Sequence, residues 1–279
     1  MTAHPLVHTL AGRAVRAEGE APVWRTLPEE APVALVYDGT THAVMMASPD
    51  RIRDLATGFS LTEGIIASPD DIADYEEVAH GEGVEARMWL AGDRSAALMA
   101  RRRTLAGPVG CGLCGIDSIA AALAELPAVR SPLLLGAEDV AAATERLRAC
   151  QPLHDETHAA HAAGFLLPGR GIVLAREDVG RHNALDKLVG AMARAGIDAA
   201  SGAFVMTSRV SVELVQKCAM AGCPALIAVS APTALALRRA EAAGITLAAF
   251  ARDGAFDVFS HPERILASVP ELTAVPDVA

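Results

Sequence analysis

The sequence has no basic surplus: 24 Lys and Arg stand against 34 Asp and Glu, for a formal net charge of -10 at pH 7. General nucleic-acid binding needs a cationic surface to displace counterions, so no nucleic-acid partner is expected, although a local basic cluster can still hold one anion. There is no uninterrupted apolar run of about eighteen residues, so no spanning helix and no membrane partner is expected; Pro224, Ser230, Pro232 and Thr233 break up the nearest candidate. Met1 to Glu30 is polar, with scattered Arg, Glu and Pro and no apolar h-region, so no secretory signal is expected and a cytoplasmic location is the default. Aromatics are scarce at 4%, which leaves Ala, Leu, Val and Ile to build the core. Five cysteines, an odd number in a chain expected to be cytoplasmic, read as thiols, metal ligands or catalytic groups and not as a disulfide framework.

What is present suits a globular chain, with 52% hydrophobic and 21% charged residues. The pattern changes near residue 130, which predicts two domains, a β-rich 1–130 and an α/β 131–279. In the first, Val33 to Tyr37 and His42 to Ala47 flank the hairpin signal Asp38-Gly39. Asp50 is placed to cap a helix carrying Ile52, Leu55 and Phe59 on one face. Strands are expected over Glu76 to Val78, Val84 to Leu90 and Ala96 to Arg101, and a helix from Asp117 or Ser118 to about Leu126. The second domain alternates strands (164–167, 171–175, 203–207, 225–229, 247–251, 256–259) with helices (180–195, 210–221, 232–243). Gly196, Gly222 and Gly244 act as stops. This spacing predicts a three-layer α/β/α fold with helices on both faces of a sheet.

The most informative stretch runs from Arg101 to Gly115. Gly107, Gly110, Gly112 and Gly115 flank or separate two thiols, Cys111 and Cys114, and three arginines precede them. Glycines let the loop bend and approach a ligand closely. Positive charge from the arginines and the start of the following helix favours the thiolate. Four readings remain open: a zinc site completed by Cys218 and Cys223, a thiol redox couple, an inert buried pair, or a persulfide carrier. Redox and carrier chemistry both need an exposed cysteine of low pKa, so spacing does not separate them.

Three further clusters stand at strand-to-helix junctions. In Glu177 to Lys187, Leu185, Leu188, Val189 and Met192 form a core face, while His182, Asn183, Asp186 and Lys187 share another face. That second face is either solvated, with the pairs His182–Asp186 and Asn183–Lys187, or part of an anion site at the helix start with Arg181. Asp178 is placed to cap this helix. Thr207 to Ser211 opens a helix at a strand end, the usual crevice of an α/β sheet; Ser208 and Ser211 either cap that helix or join Arg209 in a site. Phe250-Ala251-Arg252-Asp253-Gly254-Ala255 turns through Asp-Gly, either as a plain hairpin or as a nucleotide contact through Arg252. His158 and His161 are three apart; a zinc deaminase would need His-x-Glu and Pro-Cys-x-x-Cys, and both are missing.

Taken together, Thr57-Gly58-Phe59 through Glu63-Gly64, Cys111 to Gly115, Glu177 to Lys187, Thr207 to Ser211, and Phe250 through His261-Pro262-Glu263-Arg264 resemble the formate dehydrogenase accessory sulfurtransferase family, of FdhD type. One departure is visible: the family's Thr-Gly-Gly-x-His-x-Ala is Thr157-His158-Ala159-Ala160-His161-Ala162-Ala163 here. The resemblance implies a cytidine-deaminase-like α/β domain without deaminase activity and a homodimer. It also implies a sulfurtransferase that takes persulfide sulfur from a cysteine desulfurase and passes it to a bis-molybdopterin guanine dinucleotide molybdenum cofactor for formate dehydrogenase. Carried over, Cys111 bears the persulfide with Cys114 as its partner. Phe250 to Ala255 match the stretch assigned to cofactor binding; Arg181, His182, Asn183, Ser208, Arg209 and His161 are added as candidate cofactor contacts from the strand and helix ends, and no structural metal is expected. A cofactor-binding chaperone and a thiol redox protein are the alternatives.

Overall fold

A computed structural model describes residues 5–92 and 125–266. Cys111, Cys114, the arginines before them, the strand expected at 96–101 and most of the helix expected at 117–126 lie outside these residues. Leu126, where that helix was expected to end, is not helical.

Two strands come first, β1 (Val7–Arg16) and β2 (Gly19–Pro28), paired antiparallel from Val7 with Pro28 to Arg16 with Gly19. The sequence reading assigned no element to this stretch. The reason is physical: the ribbon is exposed at most positions, so it lacks the alternation that a half-buried strand imprints. β3 (Ala31–Tyr37), β4 (Thr40–Ala47), β5 (Ile72–His80) and β6 (Gly83–Leu90) form a four-stranded sheet in the order β4-β3-β6-β5. Helix α1 (Ile52–Thr62) covers one face, where Leu55 and Phe59 meet Val33, Leu35, Met45 and Met88. Asp50 does not cap α1. The N-cap is Arg51 in the left-handed region, at φ 50°, and Asp50 turns instead to Lys187 at 2.8 Å.

The chain then forms β7 (Leu135–Gly136), α2 (Ala137–Arg148) and α3 (Pro152–Thr157), two helices that the strand-helix reading did not assign. Val129, just before them, is already buried in the second core and its N–H donates to the Ala243 carbonyl at 2.8 Å. Next come β8 (His161–Leu167), β9 (Gly171–Asp178), α4 (Arg181–Arg194) and β10 (Ala203–Met206). They are followed by α5 (Val212–Met220), β11 (Ala225–Ala228), α6 (Ala234–Ala243), β12 (Thr246–Arg252), β13 (Ala255–Ser260) and β14 (Ile265–Leu266). Six strands pair in the order β13-β12-β11-β10-β8-β9, with β10, β11 and β12 parallel and the outer pairings antiparallel. Side chains alternate across this sheet. Ala203 and Val205 face Val140, Ala143 and Leu147 of α2, while Phe204 and Met206 face α4, α5 and α6. Both faces are therefore covered by helices.

The two sheets meet where α1 crosses α4. A Cβ on Gly58 would strike the Asp186 carbonyl, and one on Gly190 would strike the Asp54 carbonyl, so only glycine lets these backbones touch. Around that contact runs a polar seam. Asp178 and Lys187, both fully buried, pair at 2.7 Å. Lys187 also donates to the Ser48 carbonyl at 3.0 Å, and the Ser48 N–H donates back to Asp178 at 3.1 Å. Asp186 pairs with Lys217 of α5 at 3.0 Å and accepts from the Thr62 hydroxyl at 2.7 Å. Asp54 holds Arg176 and Arg194.

Candidate functional site

The parallel strands β10, β11 and β12 end on one edge of the six-stranded sheet, the customary ligand crevice of α/β proteins. The described candidates are all on that edge. β8 and β9 run antiparallel to their neighbours, so His161 at the start of β8 lies opposite Asp178 at the end of β9. Arg181 and His182 open α4. Ser208 and Arg209 follow β10, and Phe250 to Ala255 make the turn from β12 to β13. Two strand spacings, about 10 Å, separate β12 from β10.

The edge divides into groups that are committed and groups that are not. Asn183 is committed: its side-chain amide is buried and donates to the Met46 carbonyl at 2.8 Å and to Asp178 at 3.0 Å. The solvated-face reading of this helix fails, because Asp186 and Lys187 are buried and pair with Lys217 and Asp178 in place of His182 and Asn183. Asp178 does not cap α4: the N-cap is Gly180, without a side-chain cap bond, and Asp178 takes only that residue's own N–H at 2.8 Å. The Ser208 hydroxyl is buried and donates to the Arg209 carbonyl at 3.0 Å. Neither Ser208 nor Ser211 caps α5 with its side chain. Arg209 is exposed.

Phe250 sits in the left-handed region at φ 52°, inside an irregularity of the β12–β13 pairing, and is partly exposed beside Phe259. A positive φ is uncommon for a bulky residue, and Phe250 keeps 38% of its surface exposed. Ala251 is buried, and its carbonyl accepts from Thr144 at 2.8 Å. Arg252, Asp253, Gly254 and Ala255 are exposed, and the turn has positive φ at Asp253 and Gly254.

His161, Arg181 and His182 gather with two residues that the sequence reading left out or took for a cap, Glu213 and Ser211. His182 Nε2 lies 3.4 Å from Ser211 Oγ and 3.9 Å from Glu213 Oε2. Burial and then the Arg181 charge push the His182 pKa down to about 4, so the ring is neutral at pH 7. The same two causes hold His161 below the ordinary histidine value. Burial alone would raise the Glu213 carboxyl; hydrogen bonds from Ser211 and its own N–H, with the nearby His182 and Arg181, outweigh it and hold it low. Arg181 Nε and Glu213 Oε2 are both shielded from water, and among the described residues neither has a hydrogen-bond partner. Glu213 was hidden in the sequence by its place four residues before Lys217, which reads as an ordinary surface pair on a helix.

The thiols divide as well. Cys218 and Cys223 are fully buried and donate to the carbonyls of Cys223, Gly202 and Ala225, and burial pushes the Cys218 thiol well up. Two thiols buried in the core and bonded to backbone carbonyls are poor candidates for the other half of a zinc site. Cys150 is exposed. Among the described residues no group of three or more His, Cys, Asp or Glu is arranged to hold a metal ion, and no helix is long and apolar enough to cross a membrane.

Residues 28–266 match the model of the FdhD/NarQ family. The chain is 50% identical over 258 residues to the sulfur carrier protein FdhD of Agrobacterium fabrum, covering 92% of this chain and 95% of that one. To the protein of the same name from Brucella abortus it is 51% identical over 266 residues, covering 95% and 96%. Its fold matches a crystal structure from Desulfotalea psychrophila, described as a formate dehydrogenase accessory protein, with a TM-score of 0.75 at 24% identity, over 94% of this chain and all of that one.

Proposed function

This chain belongs to the FdhD/NarQ family, and on that premise we propose that it is a sulfur carrier that works by a cysteine persulfide on Cys111. The thiolate of Cys111 attacks the outer sulfur of a cysteine desulfurase's persulfide. A new S–S bond forms on Cys111, the donor's S–S bond breaks, and the donor cysteine leaves as thiolate. No electrons are gained or lost in that step. The acceptor we propose is a bis-molybdopterin guanine dinucleotide molybdenum cofactor destined for formate dehydrogenase. The deaminase-like layering of the second domain, the division near residue 130, a cytoplasmic location and a homodimer belong to the same reading.

The observation that carries the acceptor is the unsatisfied polar edge. Arg181, Arg209 and Arg252 lie on it, with a neutral His182 and two helix starts without side-chain caps. A dinucleotide brings phosphates that such groups hold, and the partly exposed ring of Phe250 gives a base a face to stack on. Among the described residues of the edge, His161, His182 and Glu213 are all held below their ordinary pKa values, which makes them weaker bases toward water. Carrying suits this edge better than hydrolysis. The test is incubation with a desulfurase and cysteine, followed by mass spectrometry. The intact chain gains one sulfur that a thiol reductant removes, and Cys111→Ala neither gains it nor supports formate dehydrogenase activation. Full activation by Cys111→Ala refutes the persulfide role and favours a chaperone that only docks the cofactor.

A further inference from the structure

A two-stranded ribbon standing alone is marginal in water; a third strand, or a helix or sheet under one face, is what makes it stable. The β1–β2 ribbon pairs over its whole length and holds not one buried residue. Side chains that pair across it share a face, so Ala11 and Trp24 stand on one side and Leu10 and Arg25 on the other. Each side carries large apolar groups in water: Val15 and Trp24, the latter 68% exposed, on the first, and Leu10 and Leu27 on the second. The two edges differ. β2 has Pro22 and Pro28, which blunt an edge against pairing, while β1 has no proline and no acidic residue from Val7 to Arg16.

A second surface of the same kind lies on the four-stranded sheet. α1 covers the face of Leu35, Met45 and Met88; the alternate residues Val44, Met46 and Trp89 belong to the other face and are exposed. Trp24 and Trp89 are the chain's two tryptophans, a residue enriched at the centres of interfaces. The charges match as well. The ribbon carries Arg13, Arg16 and Arg25 against Glu18 and Glu20, and the outer sheet face beside Trp89 carries Asp74, Glu76 and Glu85 against Arg87. Within its own chain the ribbon leaves that face exposed.

We infer that the ribbon is an exchanged arm: in a pair of chains, each arm lies on the outer face of the other chain's four-stranded sheet. The inference rests on the homodimer reading and adds the surface that makes it. Strands of this length, at about 3.4 Å per residue and about 4.8 Å apart, give the arm a face of roughly 330 Å². Two such contacts bury roughly 1,300 Å² over both partners, within the range of a specific interface.

Sedimentation equilibrium and tryptophan fluorescence on the full chain test this. The unmodified chain is expected to be a dimer at micromolar concentration, and its tryptophans become harder for acrylamide to quench as the dimer forms. Trp24→Glu on the arm and Met46→Glu on the sheet, both at exposed positions, each weaken the dimer ~30-fold or more with the circular dichroism spectrum unchanged. Mixing the two variants is decisive. One of the two arm–sheet contacts is then intact, so the mixed pair forms at a concentration where neither variant pairs with itself. A monomeric unmodified chain overturns both the inference and the homodimer reading. A dimer that both variants leave unchanged overturns the inference alone. So does a mixture that pairs no more tightly than its parts, which is the result if arm meets arm or if another segment of the chain covers the sheet.

Discussion

Helices α4 and α5 carry polar groups in opposite states one turn apart. At the inner turn Asp186 and Lys217 pair at 3.0 Å with Thr62 and Glu63 added, and each charge has its partners. Burial would push Lys217 down, but Asp186 and Glu63 outweigh it and hold the ammonium up. At the outer turn His182 and Glu213 occupy the equivalent places, yet they stand 3.9 Å apart with the ring neutral and a carboxylate oxygen unserved. The inner layer, with Asp178 and Lys187 beside it, is closed on itself and joins two sheets. The outer layer is open. The same four helix positions show that charge on an interior helix face is not evidence of a ligand; unpaired charge is.

The contrast can be broken from the inside first. Lys187→Met leaves the Asp178 carboxylate buried without its cation. Three N–H donors remain on it, from Ser48, Gly180 and Asn183, so the cost is expected at the lower end for a broken buried pair, about 3 kcal/mol in chemical denaturation. A loss under about 1 kcal/mol would mean that the seam is wetter than its geometry.

The rim answers to pH. His182 has a folded pKa of about 4 against an ordinary value of 6.5. The neutral form is the one the fold favours, so its stabilisation is whole above about pH 6.5 and is lost as pH falls toward 4. Between pH 7 and pH 4.5 the unmodified chain should lose about 2 kcal/mol more than His182→Gln, read as the difference between two denaturation series. Parallel curves for the two proteins would place the ring in contact with water and remove the contrast.

The smallest effect is the sharpest. Glu213→Gln should cost less than about 1 kcal/mol, because Oε2 has no hydrogen-bond partner among the described residues to lose and the amide keeps an oxygen to accept from Ser211 and the backbone N–H. A cost of about 2 kcal/mol or more would make the rim a second structural layer and put Glu213 with Asp186.

Much of the fold was legible. β3, β4 and β6 alternate because one face is buried, and α4 to α6 end near glycines whose φ values are positive, at Gly196, Gly222 and Gly244. What was missed follows from what a sequence records. The β1–β2 ribbon buries little, so it leaves no periodic trace. The Asp178 to Lys187 block was visible as a cluster, but its partners Ser48, Met46, Asp50 and Lys217 lie far away in the chain, and only folding shows that Asn183 and Lys187 are spoken for. Glu213 was missed for the mirror-image reason. Its significance is a bond it does not make, and no local spacing encodes that.

The touching backbones at Gly58 and Gly190 have a mechanical consequence. Two helices in contact without intervening side chains leave no room for a larger residue at either glycine, so Gly58→Ala or Gly190→Ala would force α1 and α4 apart. That contact joins the four-stranded and six-stranded sheets through backbone, beside the buried ion pairs Asp178–Lys187 and Asp186–Lys217. The spacing between the smaller sheet and the polar edge of the larger one is therefore set by two residues that have no side chain, and enlarging either should alter it.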